Sequence, residues 1–459
     1  MGFRTDTIAA ISTAMTNSGI GIVRISGEEA FDVIDRIYKG KKEKILSDQK
    51  SHTIHYGYIV DGDETIDEVL VLLMRGPHSY TGEDTVEIDC HGGVFVTKKI
   101  LETVIKYGAR PAEPGEFSKR AFLNGRMDLS QAEAVIDIIN SKNEYALKSS
   151  VSQLKGSVHK KIKAIRDEIL YHTAFIETAL DDPEHISVDG YGDKLKVIVE
   201  KLMADIHKLL DSVDNGKIIR EGINTVIVGK PNAGKSSLLN VLLGEERAIV
   251  TDIAGTTRDV LEESIQLQGV SLNIMDTAGI RKTEDIVEKI GVDKAKANAK
   301  EADLIIYVVD SSKPLDENDF EIIHMIEGKR AIVLLNKSDL STVVDKVVLK
   351  RWITHPMIEI STKEETGIYE LESTLKEMFY HGELSFNDEI YITNARHKAA
   401  LQDAYGSLEK VIDSIENQMP EDFYTIDLMD AYESLGRITG EAIGEDLVNE
   451  IFSKFCMGK

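Results

Sequence analysis

Apolar residues over the first 118 positions fall in short runs, at 20–25, 52–60, 69–74 and 85–89, separated by the turn signals Asp61-Gly62-Asp63 and Arg75-Gly76-Pro77. This pattern predicts an α+β module. Between 129 and 180 the period changes, and Leu147, Val151, Leu154, Val158, Ile162, Ile165 and Ile169 recur at spacings of three and four with charges between them. One long amphipathic helix is expected there. Pro183, Gly190 and Gly192 interrupt it, and a second stripe runs through Leu195, Ile198, Leu202, Ile206, Leu209 and Val213, with Asn215-Gly216 as its expected end. Helical spacing returns at 401–415 and again at 428–455. These stretches read as one helical bundle split in sequence by a segment of different character.

That segment, about 221–381, alternates apolar runs at 225–228, 271–275, 304–309, 331–335 and 357–360 with polar helical stretches. Alternation of this kind predicts a mostly parallel, doubly wound sheet with its ligand at the strand C-termini. The fold class is therefore multidomain α/β, with an α+β domain at 1–118, a helical domain in two parts at 119–220 and 382–459, and the doubly wound domain inserted at 221–381.

The chain has 459 residues, and 54 basic against 79 acidic side chains give a net charge of −25. With 42% apolar residues it is no disordered acidic tail. Only Cys90 and Cys456 are present, too few for a disulfide framework and wrongly spaced for a zinc site, so a reducing cytoplasm fits best. The apolar runs are far shorter than the roughly 18 residues of a membrane span, and no export or anchoring segment is read.

The chemistry begins at Gly229-Lys230-Pro231-Asn232-Ala233-Gly234-Lys235-Ser236, set between a strand and a helix that opens at Ser237. Glycines let successive backbone N–H groups converge on phosphate, the helix dipole adds to them, Lys235 reaches the outer phosphates and the Ser236 hydroxyl can hold Mg²⁺. At the end of the next apolar strand, in Asp276-Thr277-Ala278-Gly279, the aspartate can hold the metal through water and the glycine amide can sense a γ-phosphate. Asn336-Lys337-Ser338-Asp339 follows a third strand. A carboxylate at Asp339 can accept from the N1–H and exocyclic amine of guanine, which adenine does not offer, so GTP is favoured over ATP. Ser361-Thr362-Lys363 would place a backbone amide near the guanine carbonyl.

In this order the motifs resemble those of the GTPase superfamily, and Val250-Thr251-Asp252-Ile253-Ala254-Gly255-Thr256-Thr257-Arg258-Asp259 narrows the resemblance to its TrmE-Era-like branch. Three further stretches are similar to those of the MnmE (TrmE) family of tRNA modification GTPases. They are Gly21-Ile22-Val23-Arg24-Ile25-Ser26-Gly27, Pro114-Gly115-Glu116-Phe117 with Arg120-Ala121-Phe122-Leu123-Asn124-Gly125, and the terminal Phe455-Cys456-Met457-Gly458-Lys459. The resemblance covers essentially the whole chain. It implies an N-terminal folate-binding and dimerisation domain, the split helical domain and an inserted G domain.

The same resemblance implies site residues. Ras-like enzymes place a glutamine after the Asp-X-X-Gly turn, but Ile280 stands there and cannot hold water; the polar candidates downstream include Glu284, Asp285 and Glu288, and by the resemblance the family's water-positioning glutamate maps to Glu288. In place of an arginine finger the family uses K⁺, with Asn232, Thr251, Ile253 and Thr256 as its ligands, while Thr257 joins Ser236 on Mg²⁺. Arg258 and Arg281 remain rival fingers. Arg24, Glu87, Arg126 and Lys459 should contact a tetrahydrofolate, in its methylene or formyl form, although many relatives carry lysine where Arg126 stands. Cys456 is a candidate nucleophile or a neighbour of the folate carbon, and His91-Gly92-Gly93 is expected to be a tight turn after a strand. The implied partners are a second copy of the chain, the flavoprotein MnmG in a heterotetramer, and tRNA. Together they install an aminomethyl-type group on carbon 5 of the wobble uridine. The acidity of the chain suits tRNA contact poorly; the clusters Lys39, Lys41, Lys42, Lys44 and Lys160, Lys161, Lys163 are small, so MnmG is expected to supply much of that contact. Two alternatives share part of the pattern: a ribosome-assembly GTPase of the Era or Der type, which should carry a basic RNA-binding domain, and a scaffold switch whose nucleotide only sets shape.

Overall fold

The computed structural model describes residues 6–244, 263–267, 270–275, 301–380, 390–441, 443–456 and 458. Its chain divides into two compact units, one of Met1–Ile136, Ser152–Met203 and Ala400–Lys459, the other of Asp137–Val151 and Ala204–Ala399.

The first unit opens with β1 (Ile8–Ile11), β2 (Ile20–Ser26), α1 (Ala30–Ile37), β3 (Tyr38–Gly40), β4 (Thr53–Asp61), β5 (Glu64–Met74), β6 (Thr85–His91), α2 (Val94–Lys106), β7 (Arg110–Pro111) and α3 (Glu116–Leu123). The strands form one sheet in the order β3-β4-β5-β6-β2-β1-β7. Alternation along the strands sends Val23, Ile25, Val71, Val86 and Ile88 to one face, where they bury against Val33 and Ile34 of α1 and Ile100 and Val104 of α2. The opposite face carries Arg24, which pairs in register with Glu87 of β6. Next to it, Ile8 and Ala10 of β1 pack with Phe117 of α3 and Tyr80. Arg120 of α3 ties that helix down through Asp6 (3.0 Å) and Glu83 (3.1 Å), and pairs within the helix with Glu116 (3.1 Å). The sequence reading missed β1 and all three helices, and it began β5 at position 69. The polar start of β5 is held instead by a two-residue hairpin, with Asp61 paired to Glu64 around Gly62 at φ +62°.

The expected single helix over 129–180 is three: α4 (Leu129–Ile139), α5 (Glu144–Leu154) and α6 (Ser157–Asp181). The apolar stripe runs in phase across the break, but Gly156 sits at φ +84°, a left-handed conformation that ends one helix and starts another. The following α7 (Tyr191–Glu221) continues past Asn215-Gly216, where an end was expected. A Cβ at Gly216 would lie 2.3 Å from the carbonyl oxygen of Ile392, so this glycine serves a close backbone approach rather than a turn.

The second unit then runs through β8 (Ile223–Val228), α8 (Lys235–Leu242), β9 (Glu263–Leu267), β10 (Val270–Ile274), β11 (Leu304–Asp310), α9 (Glu317–Ile326), β12 (Ala331–Asn336), α10 (Lys346–Leu349), β13 (Met357–Glu359) and α11 (Ile368–Tyr380). The sheet order is β13-β12-β11-β8-β10-β9. Five strands are parallel and β9 is an antiparallel edge that the sequence reading missed. Helices cover both faces: Ile227, Ile306 and Leu334 bury against Leu238 of α8 and Leu371 of α11, while Val226, Tyr307 and Val333 bury against Ile323 of α9 and Leu349 of α10. Strand order reverses between β8 and β11, so the crevice at their C-terminal ends is where ligand belongs in such a sheet.

The chain closes with α12 (Ala395–Glu416), α13 (Glu421–Thr439) and α14 (Glu445–Ser453). The last two replace the continuous stretch expected at 428–455. Gly440, at φ +94°, stops α13, and a Cβ there would meet the Phe122 ring at 2.8 Å.

Candidate functional site

The Gly-rich loop leaves β8 at the switch point and returns as α8. Two glycines in it are obligatory. A Cβ at Gly229 (φ +153°) would stand 2.3 Å from the carbonyl oxygen of Val308 on β11, and one at Gly234 (φ +103°) would stand 2.0 Å from Asn336 Nδ2. Asn232 takes φ +60°, which asparagine tolerates, and so keeps a carbonyl oxygen on the loop. Lys235 folds back over the loop, donating from Nζ to the carbonyl oxygens of Gly229 (2.7 Å) and Lys230 (2.8 Å). Burial pushes its ammonium group below the usual lysine value. Lys230 anchors the outside of the loop to Asp316 (2.9 Å) and Asp319 (2.6 Å) at the start of α9. Asp319 is buried and also accepts from the Tyr307 hydroxyl at 2.8 Å.

Two more predicted segments meet this loop. Asn336, buried at the end of β12, donates to the Ala233 carbonyl oxygen (2.8 Å) and accepts from the Thr362 amide (3.1 Å). One side chain therefore joins 229–237, 336–339 and 361–363. Asp339 accepts from the Ser361 hydroxyl at 2.7 Å, which orients its carboxylate. Lys337 takes φ +66° and pairs with Asp310 at 2.6 Å. Burial works against the charge on Asp310, but hydrogen bonds from Lys337 and Ser312 prevail and hold its carboxyl below the ordinary carboxylate range. Asp310 and the Lys230 anchor were not singled out from sequence, since their partners come from different strand ends. Thr251, Asp252, Ile253, Ala254, Gly255, Thr256, Thr257, Asp276, Thr277, Ala278, Gly279 and Glu288 lie outside the described residues, as do Arg258, Arg281, Glu284 and Asp285.

The loop suits a nucleotide phosphate, because glycines at 229 and 234 let the backbone pack directly against Val308 and Asn336 at the start of α8, where successive backbone N–H groups and the helix N-terminus favour an anion. Of the expected metal ligands, Ser236 and Asn232 are described, and both bring oxygen, the donor that hard cations require. Among the described residues no three His, Cys, Asp or Glu side chains form a metal-binding group.

The first unit gathers a second constellation. Arg24 donates from Nε to Glu87 Oε1 (2.7 Å), and its Nη2 lies 2.7 Å from the same oxygen. Nη1 donates to the Gly458 carbonyl oxygen at 3.1 Å, so the C-terminal tail reaches β2. The Arg24 guanidinium lies 5.1 Å from the Tyr80 ring centre and 5.6 Å from that of Phe117, and Arg126 lies 4.9 Å from Tyr80. Arg24, Glu87 and Arg126 are thus brought together around Tyr80, which no sequence spacing had marked. Lys459 lies outside the described residues. Cys456 is exposed, and its carbonyl oxygen accepts from the Gly115 amide at 3.4 Å. His91 ends β6 and pairs with Asp67 at 2.7 Å, and Gly92 and Gly93 lead into α2. In the lysine cluster, Lys44 meets His55 at 2.7 Å and Lys41 lies over the Tyr56 ring. A cationic group on aromatic faces beside a carboxylate suits a planar, charged-tail ligand such as a folate. No helix among the described residues is long and apolar enough to cross a membrane.

Residues 7–126 match the family model described as GTP-binding protein TrmE N-terminus, and residues 129–456 match the one described as MnmE helical domain. A protein of Lachnoclostridium phytofermentans named tRNA modification GTPase MnmE is 61% identical over 99% of this chain and 100% of its own length. One of the same name from Alkaliphilus oremlandii is 50% identical over 99% of both. Among solved structures, an Aquifex aeolicus Era variant bound to GDP and AlF4⁻ is 29% identical over 40% of this chain and 66% of that one, with a TM-score of 0.27, too low to bear on function.

Proposed function

The chain belongs to the MnmE (TrmE) family and is a GTP hydrolase of tRNA modification, and from that premise we propose that hydrolysis is coupled to folate-dependent modification of carbon 5 of the wobble uridine. The flavoprotein MnmG is the partner in this proposal, a second copy of the chain completes the assembly, and the product is a carboxymethylaminomethyl or aminomethyl group. The site of action is the cytoplasm. The domains are taken as 1–118, 119–220, 221–381 and 382–459, with dimerisation through the first.

What supports the nucleotide half is Asn336, which ties the phosphate loop to both base-reading segments. In this proposal backbone N–H groups of 232–237 receive the phosphates, with the dipole of α8 behind them. Lys235 leaves the carbonyls of Gly229 and Lys230 for the outer phosphates, and its lost solvation there strengthens the attraction. Asp339, held by Ser361, accepts from the guanine donor edge, and Thr362 and Lys363 flank the guanine carbonyl. Glu288 orients the attacking water. Mg²⁺ would be held by Ser236 and Thr257 and would neutralise charge on the outer phosphates. K⁺ would be held by Asn232, Thr251, Ile253 and Thr256, where it supplies the positive charge that an arginine supplies elsewhere. Asp252, Ala254, Gly255, Asp276, Thr277, Ala278 and Gly279 complete the nucleotide contacts.

In the folate half, Arg24, Glu87, Arg126 and Lys459 bind a reduced folate that supplies the one-carbon unit, and Cys456 stands near that carbon. The deciding experiment is mass spectrometry of wobble uridines in tRNA from cells lacking this protein, complemented with wild type or with Glu288→Ala. Loss of the modified base, restored by wild type and not by the variant, is expected. Unchanged modification in the deletion strain would overturn the proposal. Equal GTP turnover in Na⁺ and K⁺ buffers would remove the potassium part.

A further inference from the structure

Leu340, Val343, Val347, Val348 and Trp352, five large apolar side chains on one short segment of the second unit, are between 39% and 65% exposed. Among them Val344, Leu349 and Ile353 are buried in the core with Tyr307 of β11 and Val333 of β12. The segment is therefore pinned to the sheet. Asp345 accepts from the Val347 amide at 2.8 Å and caps α10, and the Val343 amide donates to the Ser311 carbonyl oxygen at 2.8 Å. Trp352 meets Phe320 of α9 with ring centres 5.9 Å apart and planes at 75°. This edge contact fixes the indole and leaves 58% of the residue open.

Exposed apolar side chains grouped in this way mark a contact surface, and the charges around them select the partner. Lys346 is held by Glu359. Lys350 and Arg351 are exposed, and their side chains have no partner among the described residues. Glu321 follows Phe320 on α9 and is exposed, so an anion is favoured only on the Lys350–Arg351 side. A second copy of the same face would set like charges against each other. An anion that also carries flat apolar surface fits better. An unpaired stretch of RNA has both, with phosphates for the two cations, a base face for the indole, and ribose and base edges for the valines. By contrast, Lys41 and Lys44 of the lysine cluster in the first unit already meet Tyr56 and His55.

We propose that Lys350, Arg351 and Trp352, with Val347 and Val348, form a tRNA contact in which an unpaired base stacks on the indole and flanking phosphates meet the two cations. This rests on the tRNA modification reading above and adds to it a place on the second unit where RNA is held. It also reconciles an RNA substrate with a chain of net charge −25, since the contact needs only a local pair of free cations and one stacking ring.

Trp352 is the only tryptophan in the chain, so its emission reports on this face. The test titrates the full-length protein with tRNA, with a blunt RNA duplex and with polyglutamate while following that emission. Filter binding then gives tRNA affinity at low and high salt for wild type, Trp352→Phe, Trp352→Ala and the double variant Lys350→Ala with Arg351→Ala, with thermal unfolding run on each. tRNA should quench the wild-type emission, and the duplex, which offers phosphates but no free base, should not. Trp352→Ala should lose at least about fivefold in affinity, the scale of one base–aromatic stack, and Trp352→Phe, which keeps a ring, should stay within about twofold of wild type. The double variant should flatten the slope of log affinity against log salt by about 1.5, two phosphate contacts' worth. Affinity within about twofold of wild type in both Trp352→Ala and the double variant would overturn the proposal. Equal quenching by the duplex would remove the stacking and overturn it, and equal quenching by polyglutamate would make the face a dock for acidic protein instead. Failure of wild type to bind tRNA, in cells whose deletion strain loses the modified uridine, would overturn this face and leave the modification reading standing.

Discussion

The phosphate loop and the Arg24–Glu87 cluster make opposite uses of the chain. In the loop, the groups proposed to receive ligand are backbone N–H donors, and side chains mostly hold the backbone still: Asn336 ties Ala233 to Thr362, and Lys230 anchors to Asp319. In the cluster the functional groups are side chains, and Arg24 and Glu87 are 63 positions apart in sequence. A site built from backbone depends on the absence of side-chain atoms at a few positions. A site built from side chains depends on their presence at positions that only the fold brings together.

The sharpest way to break this contrast is to add one carbon to the loop. Gly234→Ala places a methyl 2.0 Å from Asn336 Nδ2 in a backbone conformation that costs alanine about 1–2 kcal/mol. Loss of GTP affinity by at least about 100-fold, or about 2.7 kcal/mol, is expected by isothermal titration, with the circular dichroism spectrum unchanged. Affinity within threefold of wild type would mean that the loop does not need its glycine.

Base recognition should respond to one atom. Asp339→Asn replaces an acceptor with a donor at the position held by Ser361. GTP affinity should fall about 10- to 100-fold, the scale of a lost charged hydrogen-bond pair, while xanthosine triphosphate, which carries an oxygen where guanine has its amine, should gain. A parallel loss for both nucleotides would place Asp339 outside the base site.

The contrast also explains what the sequence revealed. The loop was legible because its requirements are local: a strand, eight residues of fixed type, and a helix. Asn336, Asp339 and Ser361 were legible because each follows a strand of one sheet. Tyr80 was not, since a tyrosine in a turn looks like many others, and only the fold brings it to Arg24 and Arg126. Glycine misled in both directions. Gly156 breaks a helix through which the apolar stripe runs in phase, whereas Gly216 sits inside a helix because Ile392 approaches it. Periodicity reports which side of a helix is apolar, and it carries no information about backbone conformation or about which distant chain comes close.

On the side-chain site, removing one partner should cost more than removing both. Arg24→Ala leaves the Glu87 charge and the Gly458 carbonyl without their donor, a loss of about 2 kcal/mol in urea unfolding of the first unit. The pair Arg24→Met with Glu87→Gln removes the charges together and should recover about half of it. Equal destabilisation by both would show that Arg24 acts through packing on Tyr80 and Phe117 and not through its ion pair.

The smallest effect separates Glu87 from Asp89, two residues further along β6. The folded-state pKa of Asp89 is raised, chiefly by burial, so the folded state favours the protonated form. A raised carboxyl contributes stability that is fully present below its unfolded value, near 3.8, and is lost as pH rises through the folded value. At neutral pH the charged Asp89, unpaired among the described residues, therefore weakens the fold, and Asp89→Asn, which removes the charge, should raise stability by about 1 kcal/mol, a small gain because the side chain is partly exposed. Below pH 3.8 the two proteins should unfold alike. Glu87→Gln should do the reverse at neutral pH, since it takes a charge from Arg24. A neutral or destabilising Asp89→Asn would mean that a partner already satisfies the carboxylate.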